Sequence, residues 1–493
     1  MELTKVLVLF AAGWTISLAL PVQVVNNTIN ENETAFERIL TMNKGIVDQL
    51  LEGDIAPRPA PSRGVMICTN CFWKPLENGT VLVPYVFANI YTELIKTVMK
   101  KAISQFELLT CVKFVERTTE TDYLSIESGI GCWSNYGRIG GKQTVSLNKD
   151  GCLASGAIQH EMMHALGFYH EQSRSDRDIY VDIIWKNIDP DKKGNFNWQR
   201  TNNLGFPYDY GSVMHYPRNA FSISAGGNTI IPKPDPNVNI GQTYGMSHLD
   251  LKKLNTAYKC TLCRTKFTHF TSGSFSTDDI VFGPDNTCVW FIQAKPFQKV
   301  YLEISNFNIP QSAGCMNSYL KIYDGDNRDS LLLQDKTCGS TMIPALVSTQ
   351  NDLLIEFVSN QKPSQSKFKV IFKEVSFGDI FRRDSWFVTS PKFPNQYPDN
   401  EDAIYVIIAP SGKKVSLEFI EIELVYCKFT CSCICDYIMI IDGPSINDRV
   451  LGKFCGFALP PPIESTQNVV ILRFHSDSLK GAAGFYMRYN FVS

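Results

Sequence analysis

The stretch from His160 to Glu171, HEMMHALGFYHE, holds three of the chain's seven histidines and constrains the fold more than any other segment. On a helix, positions i and i+4 share a face, so His160 and His164 can grip one metal ion together. Glu161 lies beside them and is not a ligand in that geometry. It is placed to take a proton from water and later hand it to a leaving amine. Gly167 can take the left-handed conformation that ends a helix, which lets His170 swing back as a third ligand. A turn with methionine is then expected downstream. Ser212-Val213-Met214-His215-Tyr216 supplies it, with Met214 as an apolar floor under the ligands. The competing reading, a partly buried helix with satisfied histidines, leaves the added Gly167 and His170 unexplained.

The chain has 493 residues, enough for about three or four domains. A formal charge of −2 gives no field for nucleic acid or an anionic membrane. Lys5, an apolar run to about Leu20, and the small residues of Ser17-Leu18-Ala19 read as a cleaved secretion signal over residues 1–19. No later run of about 18 apolar residues follows, so a secreted protein without a membrane anchor is expected. Fifteen cysteines fit that compartment. Asn26, Asn32 and Asn78 are glycosylation acceptors by sequence.

Apolar residues recur at helical spacing from Ala35 to Leu51. Pro57, Pro59 and Pro61 follow, then Arg63. Residues 20–63 therefore read as a propeptide, cut after Arg63 by an activating protease; an N-terminal arm with an incidental arginine is the alternative. Residues 64–260 mix helix and strand signals, with an amphipathic helix over Tyr91 to Leu109. From Cys263 the pattern becomes short alternating apolar runs, a β-sandwich signature. It also repeats. Tyr319–Gly325 matches Tyr437–Gly443, Cys338-Gly339 matches Cys455-Gly456, and Phe357–Asn360 matches Phe474–Asp477. One offset of about 117 residues relates them all.

HEMMHALGFYHEQSRSDRD with SVMHY resembles the astacin family of zinc endopeptidases, over residues 64–260. The resemblance implies an α+β metzincin catalytic domain with one zinc ion on His160, His164, His170 and Tyr216. It also makes Tyr216 a mobile stabiliser of the oxyanion. Glu171 would anchor the newly freed N-terminus at residue 64 or nearby. Leu51-Glu52-Gly53-Asp54 is similar to the family's inhibitory propeptide motif, with leucine for phenylalanine, so Asp54 is expected on the zinc of a zymogen.

The same resemblance pairs Cys111 with Cys260 and Cys132 with Cys152. Cys68 and Cys71 form an extra pair like that of hatching enzymes. A zinc ribbon or a redox Cys-x-x-Cys is the alternative for that pair.

The repeats resemble CUB domains, all-β jelly-roll sandwiches, over residues 263–375 and 376–493. Cys263 is expected to pair with Cys288, Cys315 with Cys338, and Cys433 with Cys455. Ala403 stands where Cys288 stands in the first repeat, so the second lacks that bond. Cys427, Cys431 and Cys435 remain, an odd number that leaves one thiol over. Some CUB domains bind calcium; Glu423, Asp436 and Asp477 are the candidate ligands in the second repeat, whereas Ser318 and Asn360 exclude a site in the first.

No six-cysteine module separates the repeats, unlike tolloid-like proteases. The arrangement is most similar to hatching enzymes of amphibian and bird type, which implies an extracellular glycoprotein matrix such as egg envelope as substrate. Other matrix, procollagen or growth-factor processing remains an alternative, as does a non-catalytic binding protein.

Overall fold

The computed structural model describes residues 34–57, 71–242, 244–283, 285–360, 365–425 and 433–493. The expectations for residues 1–33, including Asn26 and Asn32, and for Arg63, Cys68, Cys427 and Cys431 lie outside the described residues.

Helix α1 (Ala35–Asn43) opens on a capping box in which Thr34 and Glu37 satisfy each other's backbone N–H groups. It is shorter than the apolar pattern to Leu51 suggested. The Asn43 amide leaves the helix direction to donate to the carbonyls of Gly53 at 2.9 Å and Cys132 at 2.7 Å. A short 3-10 turn at Val47–Gln49 and a tight hairpin bridge from Leu51 to Ile55 follow. The segment ends as strand β1 (Ile55–Ala56).

The remaining strands of this sheet are β2 (Val81–Phe87), β3 (Val112–Glu116), β4 (Tyr123–Glu127), β5 (Cys132–Asn135) and β6 (Lys142–Leu147). Their order is β1-β5-β6-β4-β2-β3, mostly parallel, with β5 antiparallel to β6. Helix α2 (Glu93–Leu109), capped by Thr92, buries Met99, Ala102, Ile103, Phe106 and Leu109 at helical spacing. Helix α3 (Ser155–Ala165) is buried over Gly156–Ala165, so it runs through the core instead of along the surface. The Gln159 amide ties it to α2 through the Ala102 carbonyl at 3.0 Å. Helix α4 (His248–Ala257) starts from a Ser247–Asp250 capping box. Disulfides Cys111–Cys260 and Cys132–Cys152 brace this domain. Cys71 is also disulfide-bonded.

Two β-sandwiches follow, each a five-stranded sheet on a four-stranded one, with strands in the same order. Cys263–Cys288 and Cys315–Cys338 cross-link the first, and Cys433–Cys455 the second. In the first sandwich Cys263 pairs in register with Cys288; in the second, Phe377 pairs in register with Ala403. The strand register thus survives without the bond.

Alternate residues of one strand serve two cores. Cys288, Trp290 and Ile292 fill the first sandwich, while Val289 and Phe291 join Tyr323 and Leu354 in the core of the α+β domain. In the second sandwich Ala403, Tyr405 and Ile407 face inward, while Ile404, Val406 and Ile408 pack on Tyr301, Ala345, Val347 and Val375 of the first. Among the described residues no helix is long and apolar enough to cross a membrane.

Candidate metal centre

Helix α3 delivers His160, Glu161 and His164 into a region sealed from solvent. It stops at Ala165 because Gly167 takes φ +94°, a left-handed value that favours glycine. Trp73 and Tyr258 close the freed carbonyls, donating to Ala165 at 3.0 Å and Leu166 at 2.9 Å. The chain then turns back and presents His170.

Each imidazole is aimed by a partner on Nδ1. His160 donates to the Val213 carbonyl at 2.8 Å, His164 to the Phe168 carbonyl at 2.8 Å, and His170 to the Glu52 carboxylate at 2.7 Å. Carbonyl and carboxylate oxygens only accept, so the proton sits on Nδ1 and the Nε2 lone pair faces inward. Those Nε2 atoms converge, His160 on His170 at 3.2 Å. The Asp54 carboxylate lies among them, at 2.9 Å from His160, 3.4 Å from His164 and 3.2 Å from His170.

The four ligand atoms lie within 4.8 Å of one another, and all four residues are buried. Among the described residues this is the one group of its kind. His164 Nε2 and Asp54 Oδ1 make no hydrogen bond. Facing lone pairs and orphaned acceptors repel unless a cation sits between them, and three nitrogens with one oxygen are a donor set zinc accepts. The residues therefore fit a zinc ion.

Glu161 stands apart from this group. Both of its carboxylate oxygens are buried without a hydrogen-bond partner. Burial, with the Asp54 charge adding to it, pushes its carboxyl well above the ordinary range. Asp54 goes the other way: against the cost of burial, His170 and His164 hold its carboxyl well below the ordinary range.

The turn carrying Met214 is fastened from below. Asp250 of α4 accepts from the Ser212 hydroxyl at 2.6 Å and from Val213 N–H at 2.9 Å. The Met214 carbonyl accepts Glu171 N–H at 2.9 Å, which ties the turn to the residue after His170. Tyr216 is fully buried, and its hydroxyl donates to the backbone carbonyl of Glu52.

Glu171 is held by its own domain: Lys253 reaches both oxygens at 2.7 Å, and Arg174 and Asp209 N–H add 2.9 and 2.8 Å contacts. Asn78 is exposed. Glu423, Asp436 and Asp477 do not converge as a group. Asp436 instead accepts from the Tyr397 hydroxyl and from Asp477 N–H at 2.9 Å. Cys435 is disulfide-bonded, so it is not the thiol left over.

Sequence reading passed over Glu52, Lys253, Asp250 and Phe36. Glu52 does two jobs, with its carboxylate on His170 and its carbonyl on Tyr216, and it takes a left-handed φ of 49° to do so. Its place between Leu51 and Gly53 was the available signal. Phe36 stacks on Tyr216 at 4.0 Å between ring centroids. Lys253 carries no local signal.

A buried three-histidine centre at the exit of a core helix, in an α+β domain followed by two β-sandwiches, defines a zinc-dependent peptidase with accessory β modules. Comparison with known proteins agrees. Residues 73–259 match Astacin (Peptidase family M12A), and residues 262–372 and 378–489 match the CUB domain. The chain belongs to the astacin family of zinc metalloendopeptidases. It is 40% identical over 457 residues to embryonic protein UVS.2 of Xenopus laevis, covering 92% of this chain and 87% of the relative. It is 44% identical to an astacin-like metalloendopeptidase of Gallus gallus, over 72% of this chain and 87% of the relative. High choriolytic enzyme 1 of Oryzias latipes, a hatching enzyme zinc-protease, is 50% identical. Its solved structure covers 40% of this chain and all of its own, with a TM-score of 0.39.

Proposed function

We propose that the chain is a secreted endopeptidase made as a zymogen, with residues 34–56 as its latch, and that it digests an extracellular glycoprotein matrix such as egg envelope. The placement of Asp54 among His160, His164 and His170 carries the reading, because a carboxylate there fills the position a substrate or water needs. Glu52 reinforces it by taking the Tyr216 hydroxyl. Strand β1 also covers the edge of β5, Ile55 against Ser134, where an extended substrate can add a strand.

Bound zinc supplies the Lewis acidity that polarises a peptide carbonyl and acidifies water. The remaining work falls to the chain. Glu161, sealed from solvent and free of partners, takes the proton of the attacking water and passes it to the departing amine. Tyr216, once freed from Glu52, donates a hydrogen bond to the oxygen that gains charge. Cleavage after Arg63 removes the latch by cutting the chain behind it. Glu171, already held by Lys253 and Arg174, can then receive the new α-amino group as a further partner.

Secretion is supported by the disulfides and by the N-terminal apolar run. The matrix substrate is supported by the hatching-enzyme relative. The deciding experiment incubates the cleaved protein with isolated egg envelope and with collagen precursors, with and without a zinc chelator. Chelator-sensitive solubilisation of the envelope is expected. Activity confined to the collagen precursors would move the protein to the processing proteases.

A further inference from the structure

The latch does more than lend a carboxylate. Phe36, on the first turn of α1, is only 1% exposed. Its ring lies flat on Tyr216, 4.0 Å between centroids and 21° between planes. It stands edge-on to His170 at 5.1 Å and lies 6.4 Å from Phe221. Behind it Tyr216, Phe196 and Phe221 form a continuous aromatic wall, with centroids 5.8 to 6.1 Å apart. Gly53 leaves room for this packing: a side chain there would meet Phe221 at 2.8 Å. The ring site thus belongs half to the latch and half to the domain that keeps the histidines.

We infer that the cleft vacated by Phe36 is a substrate subsite that selects an aromatic side chain within two residues of the scissile bond. The inference rests on the reading of residues 34–56 as a removable latch. Two observations carry it. The ring position is 5.1 and 5.9 Å from two of the imidazoles that face the metal position. One residue of extended peptide spans about 3.3–3.6 Å, so a substrate carbonyl at the centre places its near side chains at this distance. The wall is also apolar and aromatic, and departure of Phe36 exposes it to water. A ring from the substrate restores both the burial and the stacking.

The test uses the full chain after removal of the latch. Peptides of one length carry Phe, Tyr, Leu, Ala or Asp at each of the two positions on either side of the cut. At one position Phe and Tyr should exceed Ala by roughly ten-fold or more in kcat/KM. That ratio should fall to about three-fold or less in Phe221→Ala, while Phe221→Leu, which keeps the bulk, should still prefer Leu over Ala. A peptide of residues 34–56 should inhibit the cleaved protein, and its Phe36→Ala version should inhibit about a hundred-fold less well. Equal rates at all four positions, or an aromatic preference untouched by Phe221→Ala, overturn the subsite. Loss of all proteolysis by the unsubstituted cleaved chain instead overturns the peptidase reading itself, and the subsite with it.

Discussion

The metal centre has two walls that differ in what holds them. The lower wall, α3 and the turn at 212–216, is built into the domain core. Asp250 fastens the turn, Lys253 and Arg174 fasten Glu171, and Cys111–Cys260 closes the chain just beyond α4. The upper wall, residues 34–56, is as deeply buried at Phe36, Ile39 and Asp54, yet no disulfide holds it among the described residues. Burial alone therefore does not distinguish a permanent part from a removable one. Contacts at 34–56 are many and modest, so they act together while the segment is tethered and are lost together once it is cut.

Glu161→Gln should break the comparison on the permanent side most severely. Proteolysis by the cleaved chain should drop by about 10²–10⁴-fold, with zinc content unchanged by metal analysis. Lys253→Met comes next. It strips the buried Glu171 of its closest partner and should cost about 3–5 kcal/mol. The loss should be the same with and without residues 34–56, as read by melting midpoints; a loss confined to one form would tie Lys253 to the latch. Phe36→Ala should cost about 3 kcal/mol, but only in the uncleaved chain, and hydrogen exchange over 34–56 should accelerate while α3 stays protected. The smallest effect is expected from Asp54→Ala. With Phe36, Glu52 and Asn43 still gripping, the uncleaved protein should leak about a tenth or less of the cleaved activity. Full activity before cleavage would show that one carboxylate, not the whole segment, is the lock.

Much of the centre was legible because its code is local. His160, His164, Gly167 and His170 follow from helix geometry and one left-handed residue. The β-sandwich repeats followed from alternation and an offset of about 117, and the expected Ala403 in place of Cys288 lies two residues off that offset, where the strand register puts it. The unread parts act at long range. Glu52 meets His170 across 118 positions, and Lys253 meets Glu171 across 82. Only the seat of Glu52 between Leu51 and Gly53 hinted at the first meeting, and nothing beside Lys253 encodes the second. Asn43 misled in another way: an apolar stripe ran past it, but its amide was needed by the Cys132 backbone, and the helix ended there.

The joint between domains is itself repeated. Val289, Phe291, Tyr323 and Leu354 dock the first CUB module onto the peptidase, and the corresponding strands, through Ile404, Val406, Ile441 and Ile471, dock the second onto the first. The seat they occupy is Tyr301, Ala345, Val347 and Val375. By strand register, Tyr301 opposite Val347 becomes Ser416 opposite Glu464 in the second module. The modules are thus stacked head to tail like courses of brick, and at this pair the second module carries polar groups where the first carries its apolar seat. The repeated joint fixes how far the second module stands from the cut, making the accessory domains a spacer of set length and not a loose tether.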